Sequence, residues 1–498
     1  MARLRSPDYA ADELQRNLGV VSALGVLTMI FGVTMMLPLA VSQWTNDGAV
    51  LHHGLALVAT CACGALAWLL TRRYERELEV RDAFLLVVLV WTTLPAFATL
   101  PLLWAIEDLS FTDAYFETIS GITTTGATVL TGLERLPVSL NVWRTQLVWM
   151  GGMGLIVLAV AVLPMLGVGG RQLFKAETPG PMKDSRLTPR LTETAKGLWL
   201  VYALLSAACM AAFWLAGMQG LDAMMHMFTT MGLGGFSSYD ASFGAFDSVA
   251  IEVVAIVFML AAGINFATHF SAFRGRSVVP YRGDQEARLF LVITLASGVG
   301  IALYLWWRQI YPDFGSALRF AMFNTVSIAT TTGFASTDYA KWPMIIGLWM
   351  LFLSSFVTSA GSTGGGIKMV RAVVLYQQVY REFVRVLHPN AYTQVKFGGS
   401  GVANQVVFSV LTFLFVYVAL IVTLTLVLVA TDLDVLTAFT AVVACINNTG
   451  PGLGEVGPSG NYQGLTDFQT WVCTFAMLLG RLELFTLLIV LTPVFWRK

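Results

Sequence analysis

Charge is scarce in this sequence. Asp, Glu, Lys and Arg together make 12% of the 498 residues, about half of what a soluble domain carries. That scarcity excludes an ordinary water-soluble chain, and it excludes nucleic acid as a partner for want of a basic surface. Cysteine is scarce too. Cys61, Cys63, Cys209, Cys445 and Cys473 lie in or beside apolar runs with no metal-type spacing, and their expected role is that of small buried hydrophobes. Five scattered histidines add no ligand set. No His/Asp/Glu cluster and no nucleophile elbow supports an enzyme.

Hydrophobic length is what the chain has. Ten apolar segments recur, at 17–41, 51–71, 83–106, 143–166, 197–218, 248–272, 288–310, 343–378, 404–430 and 467–495. A run of roughly 20 apolar residues crosses about 30 Å of hydrocarbon, so the fold class is an all-α polytopic membrane protein. Shorter apolar stretches at 111–122, 220–230, 315–329 and 434–447 cannot span. Trp143 to Trp149 and Trp306-Trp307 read as interfacial belts.

The charges that exist are sorted. With a cytoplasmic N-terminus, 24 of the 30 Lys and Arg fall on inner segments, 5 on outer ones, and Arg481 inside a span. This asymmetry predicts cytoplasmic N- and C-termini. Sixteen of the 30 acids fall outside, which would concentrate cations at an outer mouth. The basic stretch 171–196 reads equally as a membrane anchor or as a docking site for a cytosolic partner.

One short pattern repeats. GITTTGATVL (121–130) is echoed by SIATTTGFASTD (327–338), by GLGGFSSYD (232–240) and, more weakly, by INNTGPGLG (446–454). The second copy fits in two registers, with Gly232 or Gly235 opposite Gly126, and the shared GF-[AS]-S-x-D favours Gly235. Each copy follows a short apolar stretch and precedes a long one. This predicts four span–short helix–loop–span repeats around one pore, at 81–170, 197–275, 286–380 and 403–498, after a two-span hairpin at 1–80. Non-helical backbone at membrane depth survives only when it lines a water-filled path or is buried in protein. Four such loops can ring a pore with carbonyls that replace a cation's hydration shell.

Two further features lie within spans. SSFVTSAGSTGGGIK (354–368) interrupts the eighth segment with four glycines, each costing a helix ~1 kcal/mol relative to Ala. It is not a phosphate loop, because Gly361 and Gly366 precede Ile367-Lys368 rather than Lys-Ser/Thr. It reads as a broken helix crossing the pore below the loops, in preference to a glycine-mediated helix contact. Arg481 stands inside the last span, where a charge costs at least ~2.5 kcal/mol and faces a cavity or a partner. Glu483 is two residues away and on another side of a helix, so the two should not pair.

These motifs, with WMGGMGLIVLAVAVLP (149–164), LAAGINF (260–266), AGSTGGGIKMVR (360–371) and LLGRLELFTLLIVLTP (478–493), resemble the Trk/Ktr/HKT superfamily of potassium-uptake membrane subunits. The extra N-terminal hairpin is similar to the TrkH type. The resemblance implies potassium uptake across the bacterial inner membrane, K+ being the transported ion, with no cofactor in this chain. It implies a selectivity filter at Thr124, Thr125, Gly126; Leu233, Gly234, Gly235; Thr331, Thr332, Gly333; and Asn448, Thr449, Gly450, with K+ held by their backbone carbonyls. It implies an intramembrane gate of Gly361, Ser362, Thr363, Gly364, Gly365, Gly366 and Lys368, held by Arg481. As partners it implies a second copy in a homodimer, a cytosolic nucleotide-binding (RCK) ring of TrkA type, and membrane lipid. A sodium-dependent KtrB-like transporter and a broken-helix solute carrier are the alternatives.

Overall fold

The computed structural model describes residues 7–74, 78–154 and 191–496. The basic stretch read as an anchor or a docking site lies mostly outside them, as does the second half of the fourth apolar segment. The N-terminal hairpin is α1 (Pro7–Thr34), which runs on into α2 (Met36–Thr45), and α3 (Val50–Thr71). α1 and α3 approach so closely that a Cβ on Gly25 would stand 2.8 Å from the Gly64 carbonyl oxygen. The hairpin docks through Asp47, whose carboxylate accepts from Ser139 N at 2.8 Å, and through His53, whose Nε2 meets Ser139 Oγ at 3.0 Å.

The same element order then occurs four times. The first unit has α4 (Val80–Ala98), the short α5 (Phe111–Ile122) and α6 (Val138–Trp149). The second has α7 (Leu191–Leu215), the short α8 (Gly220–Gly232), α9 (Val249–Ala262) and α10 (Phe266–Gly275). The third has α11 (Gln285–Trp307), the short α12 (Phe314–Ala329), α13 (Met344–Phe356) and α14 (Met369–Leu387). The fourth has α15 (Asn404–Val429), the short α16 (Val435–Ile446), α17 (Asp467–Arg481) and α18 (Phe485–Leu491). Three of the short helices start on a side-chain cap: Ser110 accepts from Asp113 N, Asp313 from Ser316 N, and Asp434 from Leu436 N and Thr437 N. These caps satisfy amide groups that a helix start leaves unpaired.

Six helices are long and apolar enough to cross a membrane, or eight if each of two bent pairs is one span, among the described residues. The expectation of continuous segments fails in two places. α9 and α10 meet at 93°, and α17 and α18 at 115°. At the first break the helix ends on Gly263 and Asn265 caps the next, its side chain accepting from Ala267 N at 2.8 Å. At the second, Glu483 and Leu484 both adopt left-handed backbone, with φ of 52° and 56°, which no helix accommodates.

Two further expectations are corrected. Trp143 is no belt residue: it is fully buried, its indole N–H donating to the Ala98 carbonyl at 3.0 Å. A ring that finds an acceptor inside has no need of the interface. Trp307 is exposed, in keeping with a belt. Of the cysteines, Cys209, Cys445 and Cys473 are buried, but Cys63 is exposed.

Candidate functional site

The four loops after α5, α8, α12 and α16 share one backbone scheme. In each, one residue turns left-handed: Thr124 at φ 57°, Leu233 at 54°, Thr331 at 61° and Asn448 at 53°. Its amide donates three residues back, to Gly121 O, Thr230 O, Ile328 O and Cys445 O respectively. The next amide donates five residues back: Thr125 to Ser120 O at 2.8 Å, Gly234 to Thr229 O at 3.1 Å, Thr332 to Ser327 O at 2.8 Å and Thr449 to Ala444 O at 2.8 Å. This equivalence aligns Gly235, not Gly232, with Gly126, Gly333 and Gly450.

At those four glycines the loops close on one another in a cycle. A Cβ on Gly126 would stand 2.3 Å from Gly235 N; on Gly235, 2.6 Å from Gly333 C; on Gly333, 2.1 Å from Thr449 O; on Gly450, 2.7 Å from Thr125 O. Each obstacle is backbone, so no side-chain movement could relieve the clash. Gly126, Gly333 and Gly450 also have φ of 80°, 90° and 95°, the region glycine occupies without strain. Gly235 does not share that angle, and its loop carries Leu233 where the first and third carry Thr.

The threonines lock the loops from within. Thr123 Oγ1 donates to Ile119 O and meets Thr125 Oγ1 at 2.8 Å; Thr330 Oγ1 donates to Val326 O and meets Thr332 Oγ1 at 2.7 Å. In the fourth loop, Asn448 Nδ2 donates to Thr125 Oγ1 at 3.0 Å, tying it to the first.

The glycine-rich segment 357–368 packs directly against these loops. Its contacts run to three of the four: Gly365 N donates to Thr331 Oγ1 at 2.8 Å, Thr363 Oγ1 donates to Met231 O at 3.0 Å, and a Cβ on Gly365 would stand 1.9 Å from Asn447 O. Within the segment, Lys368 Nζ donates to the Gly364 carbonyl and Ser362 Oγ to Ser359 O. Gly361 and Gly366 take φ of 74° and 75°. Freed backbone groups find partners at the neighbouring break, Ser359 N donating to Gly263 O at 3.1 Å and Phe266 N to Gly361 O at 3.0 Å.

Arg481 closes the remaining side. It donates to Thr363 O at 3.1 Å, to Thr124 Oγ1 at 3.1 Å, to Gly152 O at 2.9 Å and to Gly151 O. One guanidinium thus joins the first loop, the glycine-rich segment and the turn after α6. As the spacing argued, it does not pair with Glu483. That carboxylate meets Arg371.

Glu286, a residue the sequence reading passed over, holds both ends of the segment. Its Oε1 accepts from Ala360 N at 3.1 Å and from Val370 N at 2.8 Å. The available signal was an acid at the head of an apolar run, but a charge count alone files it with ordinary inner-surface residues.

A many-helix bundle whose half-length helices end on a closed ring of loops, with an irregular segment against that ring, is a membrane permeation protein. Residues 52–497 match the model of the TrkH family, described as a cation transport protein. The chain is 46% identical to the Trk system potassium uptake protein TrkH of Vibrio parahaemolyticus, over 96% of this chain and 99% of the relative. It is 42% identical to that of Escherichia coli over the same shares. The crystal structure of the potassium transporter TrkH from Vibrio parahaemolyticus superposes with a TM-score of 0.87 at 44% identity, covering 96% of this chain and 99% of that one. The chain belongs to the TrkH family.

Proposed function

We propose that this chain conducts potassium into the bacterial cell, with the glycine ring as its selectivity filter. The observation that carries this reading is the closed cycle of Gly126, Gly235, Gly333 and Gly450, set on four loops with a common hydrogen-bond scheme. Backbone packed this tightly around one axis offers cations little besides carbonyl oxygens, and such oxygens can replace hydration water. The short helices end at the ring, and their partly negative C-terminal ends favour a cation. Segment 357–368 acts as the gate, and Arg481 holds it shut. The relatives' printed names, potassium uptake proteins of a Trk system, agree with K+ as the transported ion. A homodimer, a cytosolic nucleotide-binding ring of TrkA type, an inner-membrane location and cytoplasmic termini complete the proposal.

The test is ion flux into liposomes holding the purified protein, comparing K+, Rb+, Na+ and Li+ for wild type and Gly126→Ser. Selective K+ and Rb+ entry, blurred or abolished by the substitution, is the expected result. Flux indifferent to ion identity, or absent without an organic solute, would move the solute-carrier alternative to first place.

A further inference from the structure

The residue nine positions before each ring glycine occupies the same place on its short helix: Glu117, His226, Asn324 and Ala441. Three of these reach back to brace the descending part of their own loop. Glu117 accepts from Thr128 Oγ1 at 3.0 Å and from Val129 N at 3.1 Å. His226 Nε2 meets Ser237 Oγ at 3.0 Å. Asn324 Nδ2 donates to Ser336 Oγ at 3.0 Å. Ala441 cannot do so, and the fourth loop is braced otherwise, Tyr462 donating its hydroxyl to Gly450 O at 2.8 Å.

The four braces are chemically unlike, and one belongs to an ion pair. Glu117 pairs with Arg144 at 2.6 Å, both side chains within 1% of complete burial. Arg144 does more than neutralise it. It donates to Asn141 Oδ1 at 2.9 Å and to Ser237 O at 3.3 Å, and it lies 4.4 Å over the ring of Phe236, the residue after Gly235. The pair therefore ties the first loop to the second. This second loop carries Leu-Gly-Gly in place of the Thr-Thr-Gly of the first and third, and its glycine lacks the left-handed angle the other three share. A count of charges places Arg144 among outer surface residues, but burial shows it to be interior.

We infer that Glu117 and Arg144 are positioning residues for ion selection: the pair fixes the carbonyls of the first and second loops relative to each other, and so sets how sharply the ring separates K+ from Na+. Charge-assisted hydrogen bonds are the stiffer and stronger ones, and carbonyl rings discriminate ions by geometry and field strength. The inference rests on the filter reading above.

The test uses full-length protein in liposomes, with the ratio of K+ to Na+ flux as the readout. Glu117→Gln/Arg144→Gln removes the charges together, because a single change would strand the other charge in the interior. Glu252→Gln/Arg319→Gln is the comparison. That pair also joins two helices, at 2.8 Å; Arg319 further meets Asp247 at 2.8 Å, twelve residues past Gly235, and neither side chain bonds a ring turn. The expected result is a ratio lowered about tenfold by the first double variant, roughly what one charge-assisted hydrogen bond is worth, and unchanged by the second. Thr128→Val removes a hydroxyl that donates to Glu117 and accepts from Leu130 N at 3.1 Å and Arg144 at 3.3 Å, while Glu117 keeps Val129 N, and should lower the ratio by a smaller factor. A wild-type ratio in a monodisperse Glu117→Gln/Arg144→Gln protein would reduce the pair to a structural role. If that variant does not fold, Thr128→Val decides alone, and a wild-type ratio there overturns the inference. Wild-type protein with no K+ preference would sink the filter reading itself, independently of the brace.

Discussion

Arg371 Nη2 lies 2.7 Å from Glu483 Oε2, so the helix that follows the glycine-rich segment is tied to the break in the last span. Arg371 also sits 4.0 Å over the ring of Phe413 on α15. The ion pair thus links the first turn of α14, next to the glycine-rich segment, to the break in the last span. Glu483→Gln should loosen this link and raise basal K+ flux in liposomes. Unaltered flux in a folded variant would show that the segments move independently.

Arg481→Ala removes donors to Thr363 O, Thr124 Oγ1, Gly152 O and Gly151 O at once. The expected outcome is greater K+ flux or leak, because this guanidinium bonds both the segment and the first loop. Wild-type flux from a folded variant would remove Arg481 from gating.

Glycine substitutions should divide by surroundings rather than by residue type. Gly333→Ala places a Cβ 2.1 Å from Thr449 O at a φ of 90°. It should lower the unfolding temperature and blur ion selectivity. Gly300→Ala, inside α11 with nothing within 4 Å of the new Cβ, should leave both unharmed, and Ala stabilises a helix interior by ~0.5–1 kcal/mol over Gly. Thermal unfolding in detergent, followed by flux, checks the contrast.

Asp434 caps α16, and its hydrogen bonds with the Thr437 side chain and backbone hold its carboxyl below the usual carboxylate range. A depressed folded-state pKa means the stabilisation is full above the unfolded value and is lost as pH falls through the folded one. Asp434→Ala should cost ~1 kcal/mol at neutral pH, the usual worth of a helix cap. Asp434→Asn should keep most of the cap and lose this part of the acid sensitivity. Unfolding temperatures from pH 7 downward separate the two; identical pH profiles for wild type and Asp434→Asn would count against the assignment.

Much of the architecture was legible in the order of residues. Apolar length announced the spans, and the short stretches before each Gly-containing loop became α5, α8, α12 and α16. The four-glycine interruption at 354–368 read correctly as a break because glycine is a poor helix former wherever it sits. The breaks at 263–265 and 482–484 did not stand out. Each is a single turn inside a strongly apolar run; the first finds a partner far along the chain, Gly361 for Phe266, and the second bonds its amides locally, Leu484 N to Leu479 O.

Sequence by itself determined what is local: hydrophobic length, caps, the left-handed demand met by Gly126, Gly333 and Gly450, and the repetition that places four loops in one molecule. Tertiary structure decided what depends on distance through space. It settled that Gly235 rather than Gly232 joins the ring, that Arg144 is an interior ion pair and not a surface charge, and that Glu286 grips both ends of the glycine-rich segment. A charge carries no mark of its burial, and a carboxylate none of its partner. Both are fixed only when helices remote in sequence close on one another and leave each buried polar group to find what the packing provides.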